Sequence, residues 1–226
     1  MDKVVDVVIP TLGKPHSTMA FSLLRHIPWP IHFHAIVEGE SWPEAVNLGL
    51  FESKNDVILM DDDIFLRPDT FKPLMDEATF NSADIFGFKL LRMDGKIQHA
   101  GGYFTGNCMT HVGYGEEDRG QYDNPRFLAH VTTSLVYIKR NVIDKIGGMA
   151  QDMKGMQFED VDFMFRALKE GFKILYVGGQ GAGHIESATK SGMENFSGRM
   201  TENWREVLKR HLMDEKFREK VMSFNV

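Results

Sequence analysis

The stretch DVILMDDDIF, residues 56–65, sets three successive carboxylates directly after a short apolar run. DVILM reads as a buried strand. Asp61, Asp62 and Asp63 repel one another and are poor strand formers, so they mark the strand's end. A cation, or the hydroxyls of a ligand, is needed to meet that charge. Side chains separated by one residue on an extended chain point to the same side, so Asp61 and Asp63 are expected to address one ligand together. A few hard oxygen donors suit Mg²⁺ or Mn²⁺. Taken alone, the triplet reads more readily as a solvated acidic turn or an Asp-capped start to the helix after Pro68, and its surroundings reverse that reading.

Outward from this stretch, strand-like and helix-like segments alternate. VVDVVIPT (4–11) reads as a strand, STMAFSLLRHI (17–27) as a helix capped by Ser17, and IHFHAIVE (31–38) as a second strand. WPEAVNLGLFES (42–53) follows as a helix, and PDTFKPLMDEA (68–78) as another that carries Pro73 in its interior. A β-α-β-α-β order implies an α/β fold with a mostly parallel sheet and helices on both faces. Ligands in such sheets bind beyond the carboxyl ends of the strands, where Thr11, Glu38 and the Asp61–Asp63 cluster fall.

In the second half, ADIFGFKLL (83–91) reads as a strand, and the DG of RMDGKIQHAGGYF as a hairpin turn. Residues 105–127 read as a long loop, HVTTSLVYI (130–138) as a strand, and RNVIDKIGG as a short helix closed by Gly147 and Gly148. FEDVDFMFRALKEG (158–171) is an amphipathic helix with acids in its first turn, and FKILYVGG (172–179) the next strand. From Met200 onward the chain reads as helical, packing outside the core or on a partner.

The 226 residues, 42% hydrophobic and 26% charged, can bury a substantial core. A net charge of −6 argues against nucleic acid or anionic membrane as partner. Cys108 is the only cysteine, which precludes an internal disulfide and points to a reducing compartment. The opening MDKVVDVVIPTLGK lacks the features of a secretory signal, and no apolar run is as long as a membrane span, so a cytoplasmic location is expected.

VVIPTLGK, AVNLGL, VILMDDDIFLRPD, GFKLLRMDGKIQHAGG, TSLVYIKRNVIDKIGGM and FEDVDFMFRALKEGFKILYVGG occur in that order. The series resembles the nucleotide-sugar glycosyltransferases of the GT-A fold, most closely glycosyltransferase family 2, from about Val4 to about Ser187. The resemblance implies a GT-A domain over residues 1–198, with a nucleotide-binding half (1–92) and an acceptor half (93–198). A C-terminal helical extension (199–226), which it does not cover, could mediate homo-oligomerisation.

By the same resemblance, Pro10 and Thr11 contact the donor base, Glu38 the base or ribose, and Asn47 the helix side of that pocket. Asp61 and Asp63 hold Mn²⁺ or Mg²⁺ with His184 (GAGHIES) as a further ligand, and Asp61 and Asp62 also serve the donor, with a UDP-sugar the expected one. Glu159 and Asp160 match the acidic pair that holds the catalytic base. An acceptor hydroxyl is a weak nucleophile, so a carboxylate such as Asp160 is required to take its proton. A single base opposite the leaving group implies inversion. The acceptor is expected to be a glycan, a lipid-linked sugar or a protein.

Other readings assign these residues differently. Asp162 and Arg166 have the spacing of an ordinary helix ion pair. A nucleotidyltransferase would need a Gly-rich basic loop after the first strand, and TLGKPHS has a single Gly and a single Lys. A haloacid-type phosphatase carries its DxD after the first strand, not the third. A non-catalytic sugar-nucleotide or glycan-binding module remains the principal alternative to an enzyme.

Overall fold

Val5, Val7, Val8 and Ile9, like all four residues 57–60, have no exposed surface. Strands buried on both faces in this way belong to the interior of an α/β sheet. The computed structural model describes residues 3–153, 157–185 and 196–224. Glu186 and Ser187 of the GAGHIES segment therefore lie outside the described residues.

The strands are β1 (Val5–Pro10), β2 (Ile31–Ile36), β3 (Asp56–Met60), β4 (Ile64–Phe65), β5 (Ile85–Gly87), β6 (Leu90–Arg92), β7 (Ile97–His99), β8 (Gly102–Phe104), β9 (Met109–His111), β10 (Arg126–Phe127), β11 (Leu135–Ile138), β12 (Ile174–Tyr176) and β13 (Ala182–His184). The helices are α1 (Pro15–Ser22), α2 (Trp42–Glu52), α3 (Glu77–Ser82), α4 (Arg140–Ile146), α5 (Glu159–Lys169), α6 (Phe196–Val207) and α7 (Glu215–Met222).

A seven-stranded sheet has the order β10-β12-β5-β11-β3-β1-β2. In it β2, β1, β3, β5 and β12 share one direction, and β11 and β10 run against them. A smaller sheet, β4-β13-β6-β7, stands beside it, and β8-β9 forms a hairpin. Two apolar clusters fill the space, one on each side of the large sheet's strands. α2 lies close on β1, because a Cβ at Gly49 would come within 2.3 Å of Val8 Cγ1.

Several elements differ from their sequence reading, each for a local reason. Ser17 does not cap α1: the helix starts earlier, at Pro15, and the Ser17 hydroxyl is used elsewhere. The expected helix over 68–78 is a short 3-10 turn at Lys72–Met75 followed by α3, whose N-cap is the Asp76 side chain; Pro73 has no N–H for an α-helical ladder. The segment 83–91 divides between the two sheets as β5 and β6. Residues 130–134 precede β11 outside any strand.

The segment 105–127 is better ordered than a loop. It contains β9 and β10, and buried Lys89 ties it down, its Nζ lying 2.9 Å from Asp118 Oδ1 and 2.5 Å from Asp123 Oδ1.

The C-terminal helices add to the main core: Val207, Leu212, Phe217 and Val221 are buried in the same cluster as Phe165 of α5. Asp162 holds this junction. Almost wholly buried, it accepts from Arg166 Nε at 2.8 Å and from His211 Nε2 at 2.9 Å. Burial raises its pKa, but the bonds from His211 and Arg166 outweigh it, and the carboxyl lies below its usual range. The expected ion pair thus exists, with a second task of docking the C-terminal helices. Asp162→Ala leaves buried His211 and half-buried Arg166 without this acceptor and is expected to destabilise the fold by about 3 kcal/mol, read from urea unfolding. A depressed carboxylate stabilises above the unfolded pKa, so the contribution of Asp162 should disappear only below about pH 4.

Candidate active site

Past the end of β3 the chain turns sharply: Ile64 N–H donates to Asp61 O at 3.2 Å, so residues 61–63 form a turn instead of continuing the strand. The alternation expected of an extended chain nevertheless holds. Asp62 points one way, accepting from Thr11 Oγ1 at 2.5 Å and Ser17 Oγ at 2.6 Å. It fastens the loop after β1 and the start of α1. Asp61 and Asp63 point the other way, towards His184.

His184 reaches them because β13 pairs antiparallel with β4, setting His184 opposite Ile64, next to Asp63. Ile185 N–H bonds to Asp63 O at 3.2 Å and fixes the register. His184 Nε2 lies 3.0 Å from Asp63 Oδ1. Its Nδ1 lies 2.7 Å from Gln98 Oε1, so Nδ1 carries the donated proton and Nε2 turns its lone pair towards the carboxylate. Two lone pairs at that distance require a proton or a cation between them. Donor atoms of Asp61, Asp63 and His184 all lie within 4.8 Å of one another, and this donor set fits an octahedral divalent ion such as Mn²⁺.

Burial pushes the Asp61 carboxyl up to about 6; His184 opposes this, Asp63 adds to it, and bonds from Ser134 and Trp42 oppose it. Trp42 Nε1 donates to Asp61 Oδ1 at 3.1 Å, so the indole buttresses the acid cluster.

These groups open into a cavity of about 490 Å³. Pro10, Thr11, Glu38, Asp61, Asp62, Asp63, Glu159, Asp160 and His184 all line it. Asn47 does not: its buried amide accepts from Met149 N–H at 2.6 Å and donates to Met149 O at 2.9 Å, fastening α2 to the segment after α4. The hydroxyl of Thr11 is also engaged, with Asp62 and with Gly13 N–H.

Asp160 stands in the first turn of α5. The residue before this helix, Phe158, has φ 67, the only left-handed backbone outside glycine among the described residues. Asp160 Oδ1 accepts from Val161 N–H at 2.8 Å, and Oδ2 accepts from His130 Nε2 at 3.0 Å. Burial raises its pKa, but the charge and hydrogen bond of His130, then Val161 N–H and His111, outweigh it, and the carboxyl lies below its ordinary value.

His130, Gln98 and Arg199 were not identified as site residues from the sequence; Trp42, which could equally have covered the donor base or packed in the core, lines the cavity and binds Asp61. Arg199 of α6 and the 132–134 segment also line the cavity. Gln98 lies within the GFKLLRMDGKIQHAGG stretch, which assigns it no role, and no motif marks Arg199. His130, thirty residues before Asp160 in the chain, is brought to it by the antiparallel bridge between Gly102 and His130 and by α5.

The fold and the position of this site define a GT-A domain. The sequence model described as glycosyl transferase family group 2 matches residues 57–220, and the chain belongs to that family. The match extends into the C-terminal helices as far as residue 220, further than the motif series reached. The structure of GalNAc-T7 with UDP, GalNAc and Mn²⁺ is similar, with a TM-score of 0.60 and 13% identity over 94% of this chain and 48% of that one. So is the mannosyltransferase PcManGT from Pyrobaculum calidifontis in complex with GDP-Man and Mn²⁺, with a TM-score of 0.58 and 10% identity over 94% of this chain and 64% of that one. At such identities the likeness is one of fold. The uncharacterized protein y4gI of Sinorhizobium fredii (strain NBRC 101917 / NGR234) is 26% identical over 154 residues, 64% of this chain and 17% of that protein. The chain thus spans a small part of this curated relative. No described helix is long and apolar enough to cross a membrane.

The elevated Asp61 carboxyl sets a pH dependence. Protonated below about pH 6, it competes with a cation, so Mn²⁺ affinity followed by electron paramagnetic resonance should fall as the pH drops from 7 through about 6. Stability of the metal-free protein should move the opposite way: a raised carboxyl destabilises the fold as pH rises through its folded pKa. Asp61→Asn is expected to remove both pH effects and most Mn²⁺ binding. Retention of wild-type Mn²⁺ affinity in that variant would exclude Asp61 from the metal site.

Proposed function

We propose that this domain transfers a sugar from a nucleoside-diphosphate sugar, expected to be a UDP-sugar, to an acceptor hydroxyl with inversion at the anomeric carbon. The observation that carries the reading is the presence, in one cavity, of a metal-type donor set (Asp61, Asp63, His184) and a separately held carboxylate, Asp160. Cleavage of the donor builds negative charge on its diphosphate. Asp61, Asp63 and His184 would hold a divalent cation, which would supply Lewis-acid neutralisation of that charge.

The protein's own groups do the rest. Glu38, exposed where the chain leaves β2, meets the base or ribose, and Pro10 forms the adjoining wall. Asp62 acts indirectly, holding the Thr11 loop in place. Arg199 adds a fixed positive charge to the cavity wall.

Asp160 receives the acceptor proton. Its carboxyl stays ionised at neutral pH, and His130 and Val161 N–H hold it in one orientation. Glu159, one residue earlier in the same turn, is the alternative base. With one base and, among the described residues, no second carboxylate in a nucleophile's role, the displacement is in line and inverts configuration.

The nitrogen ligand favours Mn²⁺ over Mg²⁺, because Mg²⁺ prefers an all-oxygen shell. A thermal-shift screen of nucleoside diphosphates and their sugars with each metal tests the donor assignment, since a ligand of the native state raises its apparent stability. The largest shift is expected with UDP and Mn²⁺. Asp63→Ala should abolish the shift, and His184→Ala should raise the Mn²⁺ concentration that half-saturates it. Absence of any nucleotide-dependent shift in the wild type would sink the reading.

Asp160→Asn should keep the nucleotide shift and lose turnover by about 10²–10⁴-fold, the range for a missing general base. Near-normal turnover in that variant would transfer the role to Glu159.

A further inference from the structure

β2 closes one side of the large sheet, and two hydrogen bonds fix the direction of its peptide groups. Val5 N–H donates to Pro30 O at 3.0 Å, and Thr11 N–H to Ile36 O at 2.9 Å. Peptide groups alternate between the two sides of a strand, so residues 30, 32, 34 and 36 turn theirs towards β1. Those of Ile31, Phe33 and Ala35 turn the other way, where the sheet order has no further described strand.

Edge strands that must stay unpaired carry a lysine, a proline or a bulge. β2, IHFHAI, has none of these, and its register with β1 runs without a shift. Phe33 is 42% exposed, and Ala35, on the same face of the strand, is exposed as well. That face also carries α1, whose Phe21 ring lies 5.2 Å from the Phe33 ring by centroids and whose Met19 is exposed. An open ladder beside exposed apolar side chains is a template for another strand.

The charge along the chain says which strand fits. Residues 23–36 carry Arg25, His26, His32 and His34 and no acid, whereas residues 37–44 carry Glu38, Glu40 and Glu44 and no base. A second copy related by a two-fold axis through the sheet lies antiparallel, so the basic entry of one strand meets the acidic exit of the other. In the register centred on Ala35, the smallest side chain of β2 meets itself, Phe33 meets Val37, and exposed His32 meets exposed Glu38. The outward peptide groups of Phe33 and Ala35 are then the ones that exchange hydrogen bonds. The strand is complementary to itself.

We infer that the chain forms a two-fold dimer by antiparallel pairing of β2 with β2 of a second copy, joining two seven-stranded sheets into one. The C-terminal helices, by contrast, spend Val207, Leu212, Phe217 and Val221 within their own chain. The pairing runs past Ile36 to Val37 and Glu38, which line the cavity, so each copy braces one wall of the other's site. The inference is independent of the chemistry proposed above.

Sedimentation equilibrium of the wild-type chain over a concentration series should show a monomer–dimer equilibrium. Ala35→Pro removes a single N–H, one that faces outward, and leaves the bonds of His34 and Ile36 to β1 intact. Phe33→Lys places a charge on the edge. Each substitution acts twice across the axis, and each should raise the dissociation constant about tenfold or more.

Amide hydrogen exchange gives a second readout. In the dimer the amides of Phe33 and Ala35 should exchange slowly, and dilution to monomer should make them fast. Those of His32, His34 and Ile36 should stay slow in both states, because β1 holds them. Circular dichroism reports whether each variant is folded; if Ala35→Pro is not, Phe33→Lys and the wild-type exchange pattern decide. A monomer at every concentration, a dimer that the folded variants leave as tight as the wild type, or fast exchange at Phe33 and Ala35 in the dimer overturns the inference.

Discussion

The short antiparallel pairing of β13 with β4 is the contact on which the site depends. It uses few residues, yet it sets His184 opposite Ile64 and brings an imidazole within 3.0 Å of Asp63. The smaller sheet exists around this contact. β6 and β7 extend it, and the residue before His99 on β7, Gln98, reaches back to fix the tautomer of His184. The three acids after β3 then divide their work. Asp62 is consumed in holding the Thr11 loop and α1, and only Asp61 and Asp63 remain for a ligand. The repulsion within DDD is thereby relieved in part by the hydroxyl donors to Asp62 and the Trp42 indole N–H to Asp61.

A second tier of contacts serves α5. The helix carries Glu159 and Asp160 at the cavity and Asp162 on its buried side. Arg166 reinforces the buried end by bonding Ile146 O and Gly148 O at 2.7 Å each, which ties α5 to the end of α4. His211 brings in the C-terminal helices from the other direction. The side chain proposed as the base therefore sits on an element braced by ion pairs and carbonyls, not on a free loop. Such bracing is what a proton acceptor needs, because small displacements of a catalytic group lose much of its effect.

The histidines of the acceptor half follow the same logic of fixed donors and acceptors. His130 gives Asp160 its orientation, and the Thr132 peptide group orders His99 and then His111. Residues 130–134 can do this because they leave the β-ladder before β11 begins. A continuous strand over 130–138 would have used the Thr132 N–H in sheet pairing, and the His99 ring would have lost its reference point.

The order of strands and helices, the GT-A class and the acidic end of β3 were legible in the sequence, because each depends on local periodicity or on a short motif. The amphipathic pattern of α5 and the Asp162–Arg166 spacing were equally plain, since helical neighbours lie three and four residues apart. Local signals failed where a backbone bond was diverted, as at Pro73, at Ser17 and before β11. They failed again where one side chain had two available partners: Asn47 was placed at the ligand, and packing gave it to Met149 instead. The resemblance had put His184 with Asp63, and the structure supplies the strand pairing that joins them; tertiary structure alone decided that His130 meets Asp160 and that Gln98, Arg199 and His111 face the same cavity. Those pairs are far apart in the chain, and a hydrogen bond or metal site between them has no periodicity to betray it. Only the pairing of strands and the docking of helices brings such groups to within 3 Å.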